Sequence, residues 1–371
     1  MEFSCDREKM LSVFQTAAAV VPARSPKSIL QNVKFAAEGP NIVVMATDLD
    51  ISVRVVLEGA DVRSEGVVIV PVDPFGSILR ESSDANMHVV ATESGTSVRG
   101  DRSRFQIPAR NPDEYPVIED TPWEAYHEIP ARVLRELIHR TTFATDVEST
   151  RYALGGVLIE FDAERMTAVG TDGRRLAKME AIANSVGGHR GGAAATIVPT
   201  RAMQIIERSL VEMDTPVHLA AFDNSLGVRI GNTRIVSRLV EGRYPRWRDV
   251  FPKRTAATRI DLIVGPLLAN VRQAAIFNDK DSRGLEFSFD AGRVKIAAAA
   301  TNLGSSEIEY PLAYDGPPIS VVLDNRYVID FLRVLSPQQA IQLELEGPQG
   351  AALFTTDDGY SYVVMPLSRD R

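Results

Sequence analysis

One pattern of elements occurs three times along the chain, and this repeat constrains the fold more than any other feature of the sequence. Each round opens with a short strand and an amphipathic helix, and these first helices are predicted over Arg7–Val20, Ala131–Phe143 and Pro266–Phe277. Each round later carries a second helix, predicted over Asp73–Glu81, Thr200–Glu212 and Asn325–Leu335. The repeat predicts three domains that share one α+β fold, each with two helices packed on antiparallel sheets of about eight strands.

A polar turn lies between two strands in each round. It is marked by the pairs Thr47-Asp48, Thr171-Asp172 and Thr301-Asn302, spaced at about 125 residues. Short polar side chains favour turns because they bond to their own backbone. We expect domains at residues 1–125, 126–253 and 254–371, with boundaries at the polar stretches 119–122 and 252–255. Three equal globular copies in a row predict an arc, and two such chains can close into a ring.

The composition is typical of a soluble globular protein, with 44% hydrophobic and 24% charged residues among 371. The segment Met1–Lys9 is charged and has no apolar core of a secretory signal. No apolar run reaches the roughly 20 residues of a membrane helix, so we expect a cytoplasmic protein. Cys5 is the one cysteine, which excludes an intrachain disulfide and a cysteine-based zinc site.

Motifs of catalysis are missing from the sequence. The five histidines show no zinc-binding spacing, and neither a GxSxG elbow nor a GxxxxGK[ST] loop occurs. The glycine-rich stretch Gly187–Gly192 lacks a following Lys-Ser or Lys-Thr and indicates a flexible loop. Asp48 and Asp172 follow threonines at turns, which favours a turn role over a catalytic pair. We therefore expect a non-enzymatic binding protein without cofactor or metal.

Arginine recurs on the predicted helices although the net charge is −8. The positions are Arg7, Arg80, Arg132, Arg135, Arg140, Arg201, Arg208, Arg272 and Arg333. If the polar faces of these helices line a hole, their guanidinium groups can bind phosphates without reading sequence. The alternative is a set of solvated faces balanced by glutamates such as Glu81 and Glu136.

Four segments carry a family resemblance: Thr150–Gly156, Thr171–Ala177, Gly242–Pro245 and Tyr362–Leu367. Over its whole length the chain resembles the bacterial sliding clamps, the beta subunits of DNA polymerase III. The resemblance implies a head-to-tail homodimeric ring of six domains that encircles duplex DNA as a processivity factor. It also implies loading by a clamp loader, and polymerases and repair proteins that dock short peptides in a pocket between the second and third domains.

The matching positions assign residues to each of these roles. The peptide pocket is expected to comprise Arg151, Leu154, Thr171, Gly173, Arg174, Arg175, Leu176, Pro245, Val250, Tyr327, Val363, Val364, Met365, Pro366 and Leu367. The DNA contacts are expected at Arg24, Arg80, Tyr152 and Arg201, and the dimer interface at Phe105, Ile276 and Phe277. Aliphatic walls with a few polar anchors suit a peptide groove. The run from Tyr362 to Leu367 also fits a last core strand, so both interpretations stay open.

Several positions depart from the family pattern. Ala153 stands where relatives often carry an aromatic residue, Asp73 where a basic residue is common, Ser368 where arginine is usual, and Arg174 where histidine is common. Two other classes of protein remain as alternatives. One is a hydrolase or transferase with a site assembled from distant residues, and the other is a peptide-binding scaffold that does not encircle DNA.

Overall fold

A computed structural model describes residues 1–120, 123–192, 195–252, 257–278, 283–300 and 304–367. Four features named in the sequence analysis fall wholly or partly outside these residues. They are the two boundary stretches (at Thr121-Pro122 and at Lys253–Thr255), the Thr301-Asn302 turn and Ser368.

In the described part of the chain, short helices separate runs of several strands, giving an α+β fold. The first third contains β1 (Glu2–Asp6), α1 (Arg7–Ala18), β2 (Asn32–Glu38), β3 (Asn41–Thr47), β4 (Ile51–Leu57), β5 (Asp61–Ser64), β6 (Gly66–Pro71), α2 (Val72–Glu81), β7 (Asn86–Thr92), β8 (Gly95–Arg99) and β9 (Arg104–Pro108). The second contains β10 (Tyr126–Pro130), α3 (Ala131–Thr142), β11 (Gly156–Phe161), β12 (Arg165–Thr171), β13 (Arg175–Ile182), β14 (Asn184–Val186), β15 (Thr196–Pro199), α4 (Thr200–Ser209), β16 (Pro216–Ala221), β17 (Ser225–Ile230) and β18 (Thr233–Arg238). The third contains β19 (Thr258–Ile263), α5 (Val264–Ala274), β20 (Gly284–Asp290), β21 (Arg293–Ala300), β22 (Gly304–Pro311), β23 (Ile319–Asp324), α6 (Asn325–Arg333), β24 (Ala340–Leu345), β25 (Ala352–Thr355) and β26 (Tyr360–Val364).

The first compact unit comprises residues 1–134 and 183–239. It holds a five-stranded antiparallel sheet in the order β5-β1-β7-β8-β9 and a nine-stranded one in the order β14-β10-β16-β17-β18-β4-β3-β2-β6. Four fully buried phenylalanines, Phe3, Phe14, Phe35 and Phe75, form the aromatic centre of its core. The Phe14 and Phe75 ring centroids are 5.1 Å apart. Burying each ring contributes about 2 kcal/mol to folding.

The second compact unit comprises residues 135–182 and the chain from residue 240 onward. Seven of its strands pair in the antiparallel order β11-β12-β13-β26-β25-β24-β19, and four more in the order β22-β21-β20-β23. Its aromatic core centres on Phe331 of α6, whose ring stacks on Tyr362 at 4.8 Å and lies 5.0 Å from Phe354. The pairing of β13 with β26 positions the candidate site described below.

Several predicted helices end earlier than the sequence pattern indicated. The helix predicted over Pro266–Phe277 begins at Val264 and ends at Ala274, and Ala275–Phe277 forms a 3₁₀ turn instead. The helix predicted to reach Glu212 ends at Ser209. The remaining four differ from prediction by one or two residues. Terminal turns tighten because their last carbonyls have no helical partner, and the hydrophobic spacing does not report this.

Candidate functional site

The turn between β12 and β13 is fixed by the hydrogen bonds of two side chains. The Thr171 hydroxyl donates to the Arg175 carbonyl at 2.6 Å and accepts from the Gly173 amide at 3.1 Å. The Asp172 carboxylate accepts from the amides of Arg174 and Arg175 at 2.9 and 3.0 Å. Gly173 has φ +89°, a left-handed conformation that glycine adopts without steric cost. The turn therefore holds Arg174 and Arg175 in fixed positions.

Arg175 is largely buried and makes an internal clasp. Its Nη1 donates to Asp330 Oδ2 at 2.7 Å, its Nη2 to the Phe143 carbonyl at 2.9 Å, and its Nε to Asp172 Oδ2 at 3.0 Å. The guanidinium also lies over the Tyr327 ring, 4.6 Å from its centroid. Most of its hydrogen-bonding capacity is thus used within the unit, so Arg175 supports the site instead of offering a charge to a ligand.

The C-terminal strand lies beside this turn. In the antiparallel register of β13 and β26, Arg175 is opposite Val364 and Leu176 is opposite Val363. Leu176, Val363 and Val364 are buried, and they belong to the core of the unit. Exposure begins at Met365, whose side chain is 46% exposed.

The last described residues continue along the same path. The Met365 amide donates to the Arg174 carbonyl at 2.9 Å, and the Leu367 amide donates to the Val322 carbonyl at 2.8 Å. Pro366 and Leu367 are partly exposed. The apolar run is therefore a core strand as far as Val364 and a surface segment from Met365, so each of the two interpretations of this run applies to part of it.

A groove of about 410 Å³ opens in the same unit. Its apolar surface comes from Ala153, Leu154, Tyr244 and Pro245, and its charged lining from Arg151, Arg243 and Arg246. The Tyr244 hydroxyl donates to the Val169 carbonyl of β12 at 2.7 Å, and burial raises the pKa of this phenol. Because Val169 and Thr171 share β12, the same strand positions both the groove and the Thr171-Asp172 turn.

The structure therefore brings the predicted pocket residues together in two sets. Arg151, Leu154 and Pro245 line the groove. The turn at Thr171 and Gly173, the adjoining residues Arg174 to Leu176, Tyr327 beneath them, and the segment from Val363 to Leu367 form the other set. Val250 is exposed at the end of a 3₁₀ turn, Trp247–Val250, that follows the groove segment.

Two groove arginines, Arg243 and Arg246, were not predicted from the sequence. Their signal was present, because both flank the Tyr244-Pro245 pair of a recognised motif. Charge spacing alone does not distinguish them from Arg248, whose guanidinium makes two bonds to Glu160 at 2.7 and 3.0 Å.

The predicted DNA-contacting arginines of the first unit differ in their exposure and in the bonds that their guanidinium groups make within the protein. Arg24 is exposed in the loop after α1, and Arg80 is exposed at the end of α2 with its Nη2 3.2 Å from the Ser77 hydroxyl. Arg201 at the start of α4 is about half exposed and engaged on one side. Its Nη1 lies 3.0 Å from Asp48 Oδ2, and its Nη2 donates to the Val20 carbonyl at 2.7 Å.

Tyr152, the predicted DNA contact of the second unit, has a 78% exposed ring in the 3₁₀ turn Tyr152–Gly155. One of the helix arginines expected to face solvent, Arg140, is buried instead. Its guanidinium pairs with Glu136 and lies 2.6 Å from Asp358, so this arginine has its charge neutralised inside the protein. The expectation of a solvent-facing guanidinium is therefore wrong for Arg140.

The predicted interface residues lie on an edge strand in the first unit and in a 3₁₀ turn beside an edge strand in the second. Phe105 lies on β9, which ends the five-stranded sheet of the first unit, and its side chain is partly exposed. In the second unit Ile276 is 71% exposed. Phe277 follows it and packs against Gly304 at the start of β22, which ends the four-stranded sheet. Both places combine a sheet edge with partly exposed apolar side chains.

Two further findings concern only the described residues. In those ranges, no cluster of three or more histidine, cysteine, aspartate or glutamate side chains is arranged to hold a metal ion. None of the helices in this part of the chain has the length and apolar character needed to cross a bilayer.

Comparison with known proteins gives matches along almost the whole chain. Residues 1–119, 128–246 and 248–368 match the family models of the N-terminal, central and C-terminal domains of the DNA polymerase III beta subunit. The beta sliding clamp of Chlamydia muridarum is 27% identical over 369 residues, which cover 99% of each chain. That of Pseudomonas aeruginosa is 29% identical over 376 residues, covering 99% of this chain and 100% of the relative.

Solved structures agree with these matches. A crystal structure of the DNA polymerase sliding clamp from Pseudomonas aeruginosa superposes with a TM-score of 0.90 at 28% identity, covering 99% of this chain and 100% of the other. A sliding clamp from Bacillus subtilis has the same fold, with a TM-score of 0.91 at 19% identity and 99% coverage of each chain. Matched in all three of its domains, the chain belongs to the DNA polymerase III beta subunit family.

Proposed function

We propose that this chain is a sliding clamp: a non-catalytic processivity factor that encircles duplex DNA and tethers a DNA polymerase to it. The observation that carries the proposal is the succession of three family domains over residues 1–119, 128–246 and 248–368. We place the domain boundaries near residues 125 and 253, and we place the protein in the cytoplasm, where the chromosome of a bacterium lies.

The assembly we propose is a head-to-tail homodimer. One subunit presents β9 with Phe105, and the other presents β22 together with the neighbouring 3₁₀ turn that carries Ile276 and Phe277. Sheet edges carry unpaired amides and carbonyls that favour pairing with another chain. A contact between two different surfaces closes a ring when the rotation between subunits permits it, and two chains of three domains would give six.

For DNA we propose contacts to phosphate from Arg24, Arg80 and Arg201, with Tyr152 adding an exposed ring. Contacts of this kind carry no sequence information and leave the ring free to slide. A net charge of −8 does not oppose this, because affinity depends on the local potential near the DNA.

For partners we propose that polymerases, repair proteins and the clamp loader dock short peptides at the groove and beside Met365. The pairing of β13 with β26 supports a pocket at this junction, since β13 lies in the central family domain and β26 in the C-terminal one. An apolar groove with polar groups at its edge suits an extended peptide. Met365→Asp is expected to abolish peptide docking while the dimer persists, and unchanged peptide affinity would refute this location.

The assembly is tested by native mass and solution shape. Sedimentation equilibrium should give twice the chain mass, and small-angle X-ray scattering should give a particle with a central hole. Phe277→Asp should yield monomers, because it places a charge in an apolar interface. Val211→Asp, at an exposed position that is not among the predicted interface residues, is the matched control and should remain dimeric. A wild-type monomer, or a Phe277→Asp dimer of unchanged mass, would contradict the proposed interface.

A further inference from the structure

We propose that Asp120 is an electrostatic lock on the junction between the first and second domains, and that the lock keeps the clamp closed on DNA. Asp120 lies in the linker between the two family matches, the first of which ends at residue 119 and the second of which begins at residue 128. The lock itself depends only on contacts within this chain. Its consequence for DNA rests on the proposed function.

The two domains meet in the nine-stranded sheet, where β4 of the first domain pairs with β18 of the second. In this antiparallel register Arg54 lies directly opposite Arg234. Residues directly opposite each other on neighbouring strands project from the same face of the sheet, and two like charges in such positions weaken the pairing. The strand pair that joins the domains therefore carries a repulsion that needs a counter-charge.

Asp120 supplies this counter-charge to both arginines. Its Oδ1 pairs with Nη1 of Arg234, and its Oδ2 lies 3.5 Å from Nε of Arg54. Arg54 has a second partner in Glu38 of the first domain, whereas Asp120 is the one carboxylate that pairs with Arg234 in the described part of the chain. One carboxylate of the linker thus bridges an arginine of each domain.

The residues on either side hold Asp120 in this position. Before it, Ile118 packs against a buried apolar cluster on β2 and β3 of the first domain. After it, the Trp123 ring lies against β17 of the second domain, so closely that a Cβ added at Gly227 would come within 2.9 Å of it. The Trp123 ring is also 6.1 Å from that of Phe222, measured between centroids. The chain is therefore anchored on one domain before Asp120 and on the other after it.

An ordinary surface ion pair would not act as a lock. Asp120 is 39% exposed, and a single pair at such a position contributes little to stability. Loss of this carboxylate, however, also uncovers the repulsion between two guanidinium groups, one of which is only 14% exposed. The effect of removing Asp120 should therefore depend on the presence of both arginines, which a simple pair would not require.

The consequence for the proposed ring concerns how long it stays closed. A ring of two subunits contains this junction twice, once in each subunit. A looser junction lets each subunit deform more readily, so the dimer interface should open more often. We therefore expect the lock to lengthen the time that the clamp stays on circular DNA.

Hydrogen exchange followed by mass spectrometry on the full-length protein tests the lock without DNA. Asp120→Asn keeps the size of the side chain and its ability to accept a hydrogen bond but removes its charge. The peptides that cover Ile51–Leu57 and Thr233–Arg238 should exchange about three- to fivefold faster in this variant. Exchange in Tyr360–Val364, a strand of the second unit, should be unchanged.

Asp50→Asn is the matched control. Asp50 lies directly before β4, and its carboxylate is 4.0 Å from Arg238 at the end of β18, with both side chains exposed. The same change of charge at the same strand pair should accelerate exchange less than about twofold.

A second substitution separates the charge lock from a purely structural role of the linker. In Asp120→Asn/Arg234→Gln one of the two opposed charges is gone, so exchange should return to within about twofold of the wild-type rate. A double variant that exchanges as fast as Asp120→Asn, or faster, would overturn the lock. So would an unchanged rate in Asp120→Asn, an equal effect of Asp50→Asn, or a difference from the wild type that does not shrink between about 0.05 and about 0.5 M salt.

Retention on a nicked circular plasmid tests the consequence for DNA. The half-life of the clamp on the circle should fall about two- to fivefold in Asp120→Asn and recover in Asp120→Asn/Arg234→Gln. An unchanged half-life in a variant with accelerated exchange would overturn this consequence. Absence of retention in the wild type would instead contradict the proposed function, and the exchange rates would still decide whether Asp120 locks the junction.

Discussion

Arg175 Nη1 and Asp330 Oδ2 lie 2.7 Å apart and join β13 to α6 inside the second compact unit. The guanidinium is about 10% exposed and also binds the Phe143 carbonyl. Removing one partner of a buried ion pair leaves the other without compensation, which is costly. This bond therefore helps to hold β13, which begins directly after Arg174 and pairs with β26, the strand that leads into the C-terminal segment.

Arg175→Gln is expected to lower the free energy of unfolding of the second unit by about 3 kcal/mol. Hydrogen exchange should accelerate at the amides of Tyr360–Val364, because β26 pairs with β13. Arg248→Gln is the matched control, and its exposed pair with Glu160 should contribute less than about 1 kcal/mol. Equal decreases in the free energy of unfolding of the two variants would show that the ion pair of Arg175 stabilises the fold no more than a surface pair does.

Leu49 provides a second test, because it has φ +85° in a turn that repeats the hydrogen bonds of the Gly173 turn. Glycine is ordinarily less stabilising than alanine, but at a positive φ the order reverses by about 1 kcal/mol. Leu49→Gly should therefore be about 1 kcal/mol more stable than Leu49→Ala. Gly173→Ala, where an added Cβ meets nothing within 4 Å, should lose about 1 kcal/mol through backbone strain alone. Urea denaturation monitored by hydrogen exchange measures these differences in the free energy of unfolding. A Leu49→Ala variant that is more stable than Leu49→Gly would contradict the prediction.

Substitutions of Arg24 and Arg201 are expected to differ in how much they change DNA affinity and how much they change stability. Arg24 is exposed in a loop, so Arg24→Gln should reduce the slope of log K against log salt by about 1 without changing the melting temperature. Arg201 pairs with Asp48, so Arg201→Gln should affect DNA less and stability more. A double-mutant cycle with Asp48→Asn should give a coupling of about 0.5–1 kcal/mol. A coupling of zero, with a full loss of DNA affinity in Arg201→Gln, would assign Arg201 to phosphate alone.

Stability should fall as the pH drops through the range of histidine titration. Burial lowers the pKa of His189, whose Nε2 accepts from the Ala221 amide at 2.9 Å, and burial also lowers the pKa of His218. The unfolded chain takes up protons below its ordinary pKa of 6.5 while the folded chain resists them. The contribution of these histidines to the free energy of unfolding is therefore fully present above pH 6.5 and is lost as the pH falls.

Chemical denaturation between about pH 7.5 and about pH 5.5 measures this dependence. His189→Gln/His218→Gln should show a flatter profile than the wild type. A wild-type stability that is constant or rises toward pH 5.5 would contradict the assignment of neutral histidines in the folded state.

The repeat and the turns were readable from the sequence because both depend on local chemistry. Thr171 and Asp172 form the predicted turn with hydrogen bonds to residues no more than four positions away. The family was recognisable for a similar reason, since its motifs are short and contiguous. Tertiary pairing was not readable in this way. Arg175 and Arg140 are clasped by Asp330 and Asp358, more than 150 positions along the chain.

The point at which the C-terminal run becomes exposed could not be predicted from the sequence either. Val363, Val364 and Met365 are all apolar, so alternation could not indicate that burial ends after Val364. The charged lining of the groove was missed because the position of Glu160 decides whether Arg246 or Arg248 is paired, and Glu160 lies on β11, far away in the sequence.

Retention on DNA of defined topology tests the central claim most directly. The protein is loaded onto a nicked circular plasmid, isolated with it by gel filtration at moderate salt, and followed after a restriction enzyme cuts the circle once. A ring that encircles the duplex should stay on the circle and leave when the DNA becomes linear, because phosphate contacts alone hold it weakly. Equal retention on circular and linear DNA, or no retention on either, would contradict encirclement and leave a peptide-binding scaffold as the better account.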